Sequence, residues 1–203
     1  MQHGATLNGT GRVIGTITAQ AGSFVAPGHS PGKLIIDGND TQQPGSTLAL
    51  EINGTTPGTN QDQIEVTGSN RVVTLTGSTL SVTTESKLPN GADITIINNV
   101  SSTSTVVGTF TDLPEGGTIV VGTIVVGTSG ADITYQGGTG NDVVLHVNID
   151  WIGLPDHTDL DGPGPALTLG CDAFVTLAEA TAFVTDKGTI TIYPDTDSGD
   201  AAT

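Results

Sequence analysis

The sequence predicts an all-β protein: a β-sandwich-like body with partial coils of a β-helix at both ends and one short capping helix. Glycine is frequent, at 29 of 203 residues, while aromatic residues make up only 3%. Short segments rich in Thr, Val and Ile, whose branched side chains suit a pleated surface, alternate with turn residues. A helical period is present only near the C-terminus. Together these features favour many short strands around a thin aliphatic core.

Residues 1–45 are predicted to form the closing coils of a β-helix. Turn residues separate three short strands at close intervals, which is typical of stacked coils. Pro27 and Pro31 lack a backbone N–H and cannot donate ladder hydrogen bonds, so the segment between them is predicted to be a loop or turn. The predicted strands are Arg12–Thr18, Gly22–Val25 and Lys33–Ile36.

Residues 46–149 are predicted to form the β-sandwich-like domain, because the strands lengthen and alternate. In Gln63–Val66 polar and apolar residues alternate strictly, which marks a half-buried strand. About ten strands with little helix indicate a sandwich or barrel. They are Thr47–Ile52, Asp62–Val66, Val72–Leu75, Thr79–Val82, Asp93–Ile97, Val106–Phe110, Thr118–Val121, Thr123–Val126, Ala131–Tyr135 and Asp142–Val147.

The C-terminal quarter is predicted to contain a connector and the opening of a second coil. Residues 150–171 are rich in acid, Gly and Pro, which disfavour regular structure. Residues 172–203 begin with the capping helix, for which Asp172 is the candidate N-cap. Gly188 ends this helix, and Thr189–Tyr193 follows as a strand. The helix is predicted from apolar or small residues at i, i+3, i+4 and i+7: Phe174, Leu177, Ala178 and Thr181.

The charge and hydropathy exclude some classes of partner. The net charge is −16, from 21 acidic and 5 basic residues, so the surface repels nucleic acid. No segment approaches the ~20 apolar residues that a membrane-spanning helix needs, so we expect no membrane insertion. Scarce lysine together with many Gly, Thr and Asn residues indicates an extracellular protein or one of the bacterial cell surface.

A first candidate calcium site lies in the Gly-rich segment before the last strand. Residues 137–145 match the calcium-binding nonapeptide pattern G-G-x-G-x-D-x-U-x letter by letter. Asn141 and Asp142 would supply oxygen ligands together with turn carbonyls, which suits a hard cation. Calcium sites of this type are shared between consecutive repeats, and this sequence has one. The alternative is a Gly-rich hairpin turn without a ligand.

A second candidate calcium site lies in the acidic connector. Asp156, Asp159 and Asp161 alternate with other residues in a Gly/Pro-rich loop, as in part of a calcium loop. The complete spacing of such a loop is absent. The alternative is a solvated acidic linker. Ca²⁺ is the only cofactor that the sequence suggests.

Catalysis is not expected. The four histidines form no metal-binding pair, no serine lies in a G-x-S-x-G turn, and the Gly-rich segments lack the lysine of a phosphate loop. The five basic residues are isolated from one another in the sequence. We therefore expect that the protein is not an enzyme.

Two parts of the chain resemble known families. Residues 8–147 resemble the autotransporter-associated β-strand repeat type of large bacterial surface proteins. The matching stretches are Gly22–Gly32, Leu50–Gly54, Asp62–Gly68 and Tyr135–Leu145. Residues 159–194 are similar to the opening of a pectate-lyase-like right-handed β-helix, although here that opening stops after about one coil. The resemblance implies an extracellular structural or adhesive role.

These features predict a structural protein that joins copies of itself. A closing coil in front and an opening coil behind leave unpaired strand edges, which recruit another chain. Head-to-tail contacts of this kind need not close and can build a fibre or matrix. The alternative is an adhesin or carbohydrate-binding module of a giant surface protein, with extracellular polysaccharide as its partner. A polysaccharide-degrading fragment is a third, weaker interpretation.

Overall fold

The computed structural model describes residues 1–29, 31–86, 88–89, 91–121 and 129–148. The chain divides into two units, Met1–Ile149 and Asp150–Thr203, and the description is confined to the first. Every helix or strand assigned in that part is a β-strand, which confirms the all-β class. No helix among the described residues is long and apolar enough to cross a membrane.

The described part of the chain contains fifteen strands. They are β1 Thr6–Gly9, β2 Gly11–Ile14, β3 Ile17–Ala19, β4 Phe24–Pro27, β5 Lys33–Asp37, β6 Asp40–Gln42, β7 Thr47–Glu51, β8 Gln63–Val66, β9 Val72–Thr74, β10 Thr79–Thr83, β11 Asp93–Asn99, β12 Thr105–Val107, β13 Thr118–Val121, β14 Ser129–Gly137 and β15 Asp142–Val147. Most are three to five residues long, as expected for a chain with turn residues at such short intervals.

The first twelve strands wind through three sheets in turn. Sheet A has the order β1-β4-β7-β10, sheet B contains β2-β5-β8-β11, and sheet C contains β3-β6-β9-β12. We call each passage through the three sheets a coil, so that coil 1 is β1–β3 and coil 4 is β10–β12. The strands of successive coils pair in parallel.

The pairing continues across the boundary that the sequence suggested between residues 45 and 46. Phe24 of β4 pairs with Thr47 of β7, and Lys33 of β5 pairs with Gln63 of β8. The strands on both sides of residue 45 therefore belong to the same sheets.

The core consists of columns of aliphatic side chains, one from each coil. In a strand alternate residues point inward, and parallel register stacks equivalent residues above one another. Full burial of such a side chain stabilises the fold by ~1.5–3 kcal/mol. In sheet A the column is Leu7, Val25, Leu48 and Leu80, and in sheet B it includes Leu34, Ile64 and Ile97.

A column of tight turns carries the chain from sheet C back to sheet A. Gly22, Gly45 and Gly77 have φ values of 75°, 79° and 73°, which glycine adopts without strain. The amide of Gly22 donates to the carbonyl of Gly45 at 2.8 Å, and that of Gly45 to Gly77 at 3.0 Å. A buried serine follows each glycine and donates its hydroxyl to the carbonyl three residues earlier: Ser23, Ser46 and Ser78.

Sheet B continues beyond coil 4 with antiparallel strands. β15 pairs antiparallel with β11, β14 with β15, and β13 with β14. Tyr135 of β14 contacts Phe110, with 6.1 Å between the ring centroids. Its hydroxyl accepts a hydrogen bond from the Phe110 amide at 3.1 Å and donates to the Leu113 carbonyl at 2.7 Å. These contacts anchor β14 to the end of coil 4.

Within the described residues, each predicted strand overlaps an observed strand, but some predicted ends are wrong at the corners of the coils. The predicted strand Arg12–Thr18 is wrong as one element, because Gly15, with φ 122°, turns the chain between β2 and β3. β1 and β6 were not predicted. The predicted strand Thr123–Val126, the capping helix over residues 172–186 and the strand Thr189–Tyr193 lie outside the described residues.

Candidate functional site

The candidate calcium segment forms the hairpin turn between β14 and β15. Gly138 and Gly140 have φ values of 59° and 93°, which suit glycine in a tight turn. The amides of Gly140 and Asn141 both donate to the Gly137 carbonyl, at 2.9 and 3.1 Å. The Gly-rich hairpin that the sequence offered as the alternative to a ligand site is therefore present.

Asn141 connects this hairpin to the end of β11 through hydrogen bonds. Its amide nitrogen donates to the Ser101 carbonyl at 2.8 Å and to the Asn99 carbonyl at 3.3 Å. In return the Asn99 amide group donates to the Asn141 carbonyl at 2.6 Å. The side-chain oxygen of Asn141 accepts a hydrogen bond from the Thr139 hydroxyl at 2.6 Å. The oxygen that a cation would use thus already has a hydrogen-bond donor.

Asp142 is held in a similar way. Its Oδ1 accepts the Asn99 backbone amide at 2.8 Å, and a Cβ placed on Gly138 would lie 2.0 Å from its Oδ2. Both carboxylate oxygens therefore lie close to backbone. Burial raises the pKa of Asp142, and the hydrogen bond from Asn99 opposes that rise. The hydrogen bonds of Asn141 and Asp142 to the end of β11 give both side chains a structural role in holding the hairpin.

The second candidate calcium site cannot be compared with the structure, because Asp156, Asp159 and Asp161 lie outside the described residues. Within those residues, no group of three His, Cys, Asp or Glu side chains is placed to hold a metal ion. Calcium binding at either segment stays a prediction.

The edges of coil 1 are the other candidate site, because the sequence predicts assembly through them. β1 pairs with β4 and β2 with β5, and within the described part of the chain each has no strand on its other side. Ile14, the last residue of β2, is 84% exposed. Gly11, at the start of β2, has open space where a side chain would be. Two edges of coil 1 thus have no neighbouring strand within the described residues.

The first residues of the chain occupy the third edge of coil 1. The Met1 amino group donates to the Thr18 carbonyl, and the Gln20 amide donates to the Met1 carbonyl at 3.3 Å. Gly4 then donates to Gly22 at 2.9 Å, as Gly22 does to Gly45. Residues 1–5 therefore repeat the corner of a coil, one step before coil 1.

The turn between Pro27 and Gly32 is anchored by a buried carboxylate. Asp62 Oδ1 accepts the Gly32 amide at 2.6 Å, and its Oδ2 accepts the Glu51 amide at 2.8 Å. Burial raises the pKa of Asp62, against the effect of these two hydrogen bonds. Asp62 thus joins coils 2 and 3 at the corner between sheets A and B.

Sequence reasoning missed a polar pair inside the coils, Asp40 and Gln42. Both side chains are fully buried, at 0% exposure. The segment Gly38–Gln43 is rich in residues that favour turns, so no alternation signalled an inward-facing strand. No local signal could have located this pair.

No family model, curated protein or solved structure shows a significant match to this chain. The resemblance to the autotransporter-associated repeat and to the pectate-lyase-like β-helix therefore stays a prediction.

Proposed function

We propose that this chain is an extracellular structural protein that assembles head-to-tail into a fibre or matrix through complementary β-edges. The accessible edges of β1 and β2 support this proposal most strongly. Unpaired N–H and C=O groups along such an edge bind a further strand. The pairing of Met1 with the edge of β3 supports the same idea, because it follows the register of a coil.

The complementary surface would lie in Asp150–Thr203. Within the described residues, sheet B beyond coil 4 is already extended by β15, so another coil could not continue all three sheets there. The sequence predicts an opening coil in residues 172–203, with the strand Thr189–Tyr193. In this proposal that strand of one copy pairs with a coil 1 edge of the next.

We further propose that the winding from β1 to β12 is a single right-handed β-helix, in place of closing coils followed by a separate sandwich. The order of the strands, with every third strand in the same sheet, supports this interpretation. Right-handed crossovers are strongly favoured between parallel strands. A stiff coil stack with open edges suits a fibre subunit.

The test is the assembly state of the full chain with and without an altered edge. In Ile14→Lys a charge is added at the exposed end of β2, which disfavours edge pairing. The matched control is Val100→Lys, at a residue that is 57% exposed beyond β11. We expect large species in sedimentation velocity and filaments in negative stain for the wild type and Val100→Lys, and monomers for Ile14→Lys.

A wild-type chain that remains a single monomeric species at high concentration would overturn the proposal. Glycan-array binding by that monomer would favour the adhesin or carbohydrate-binding module instead.

A further inference from the structure

Asp40 lies in the interior of coil 2, on the inward face of sheet C. Parallel register places it below Ile17 of β3 and above Val73 of β9, and all three are buried. Its side chain is 0% exposed. An ionised carboxylate in such surroundings is strongly disfavoured unless it is paired with a cation or fully hydrogen-bonded.

Among the described residues, Gln42 is the side chain that hydrogen-bonds this carboxyl group. Its Nε2 donates to Asp40 Oδ2 at 3.0 Å. The other two oxygens of the pair, Asp40 Oδ1 and Gln42 Oε1, are buried and have no hydrogen-bond partner. Each buried acceptor without a donor destabilises the fold, because its lost hydration is not replaced by a hydrogen bond. A single hydrogen atom, bound to one of these two oxygens and donated to the other, would therefore satisfy both.

On the described strands beside Asp40, the charged side chains are engaged elsewhere and do not donate a hydrogen bond to these two oxygens. The inward residues of coil 2 in sheets A and B are aliphatic, including Val25, Leu34 and Ile36. The charged residues of β5 form ion pairs on the outer side, Asp37 with Arg12 at 2.7 Å and Lys33 with Glu65 at 2.8 Å. Arg71, which precedes β9, also pairs with Asp37, at 3.5 Å. Within the described part of the chain, none of these cations is therefore paired with Asp40.

We propose that Asp40 is a proton-binding site inside the folded coil and that its protonated Oδ1 donates to Gln42 Oε1. With the existing bond from Gln42 Nε2 to Asp40 Oδ2, this closes a ring of two hydrogen bonds between a carboxylic acid and an amide. A single proton then satisfies both unpartnered oxygens. The group also becomes neutral, as its surroundings require.

This site makes the stability of the coil dependent on pH. Burial raises the pKa of Asp40 from 3.8 to about 6, and the hydrogen bond from Gln42 opposes the rise. The folded chain therefore binds the proton more tightly than the unfolded chain. The stabilisation is complete below the unfolded value and is lost as the pH rises through about 6. Over that range this site lowers the folding equilibrium constant by a factor on the order of 100.

The first experiment follows the carboxyl carbon of Asp40 by NMR during a pH titration of the full wild-type chain. A midpoint near 6 is expected, and a midpoint near 4, as for an exposed aspartate, would overturn the proposal.

The second experiment compares unfolding of the wild type and Asp40→Asn from pH ~3.5 to ~8, a window that brackets the folded and unfolded pKa values. Asparagine can form the same ring without a proton, so the variant should lose the part of the pH dependence that lies between the unfolded value of 3.8 and about 6. Asp112→Asn, a change at an exposed residue, is the matched control and should keep the wild-type profile. Identical profiles for the wild type and Asp40→Asn would overturn the proposal, and the NMR titration decides the matter if Asp40→Asn does not fold.

Discussion

Replacement of Tyr135 by Phe tests the contact that anchors β14 to coil 4. The change removes one hydroxyl and keeps the ring against Phe110. It leaves the Phe110 amide without its acceptor, and Phe110 is only 1% exposed, so ~1–3 kcal/mol is lost there. The Leu113 carbonyl loses its donor too, but Leu113 is partly exposed and water can replace the hydroxyl. We therefore expect a loss of ~2 kcal/mol in the free energy of unfolding.

The assay is urea unfolding, followed by a method that reports on strand content. For a unit of this size the same loss corresponds to a decrease in Tm of roughly 4–8 °C. Tyr135→Leu serves as the comparison, because it also removes the ring contact and should cost a further ~0.5–1.5 kcal/mol. A stability within ~0.5 kcal/mol of the wild type for Tyr135→Phe would show that the hydroxyl does not hold these two groups.

Two further predictions concern the core and the candidate calcium sites. Leu48→Ala removes a fully buried side chain from the middle of the sheet A column, so it should cost ~2–5 kcal/mol of stability in the same urea assay, and a loss below ~1 kcal/mol would contradict the stacked arrangement. In isothermal titration of the full chain with calcium, against a chelator control, we expect any calcium signal to persist in Asp142→Asn, because Asp142 is already bonded to Asn99. The signal should be lost when Asp156, Asp159 and Asp161 are all changed to Asn, and the opposite pattern would assign the site to the hairpin.

The sequence showed the alternation of polar and apolar residues within single strands. It did not show which further residues are buried by contacts between strands. In Gln63–Val66 the pattern identified Ile64 and Val66 as inward residues, which the structure confirms. Gln63 is also buried, because its amide donates to the Thr95 carbonyl at 2.8 Å beside an irregularity in β11. That irregularity depends on the pairing of β11 with β15, so no local pattern could indicate it.

The column of Gly-Ser turns shows why the coils predicted over residues 1–45 were not extended beyond residue 45. Gly22, Gly45 and Gly77 have equivalent roles, yet the segments that separate them differ in length. The longer coil has an extra loop between β7 and β8, over residues 52–62, which conceals the period. Equivalence becomes evident only when the turns are seen hydrogen-bonded to one another.

The sequence by itself determined the class of structure, because β-branched residues at alternate positions and glycines at turns act over a few residues only. It also located the Gly-rich hairpin that contains Asn141 and Asp142. The tertiary structure decided which strands pair, since parallel pairing joins residues that are 18 or more positions apart and turn chemistry does not set that register. It also decided that Asp40 faces inward, because a three-residue strand takes its orientation from the coils above and below it.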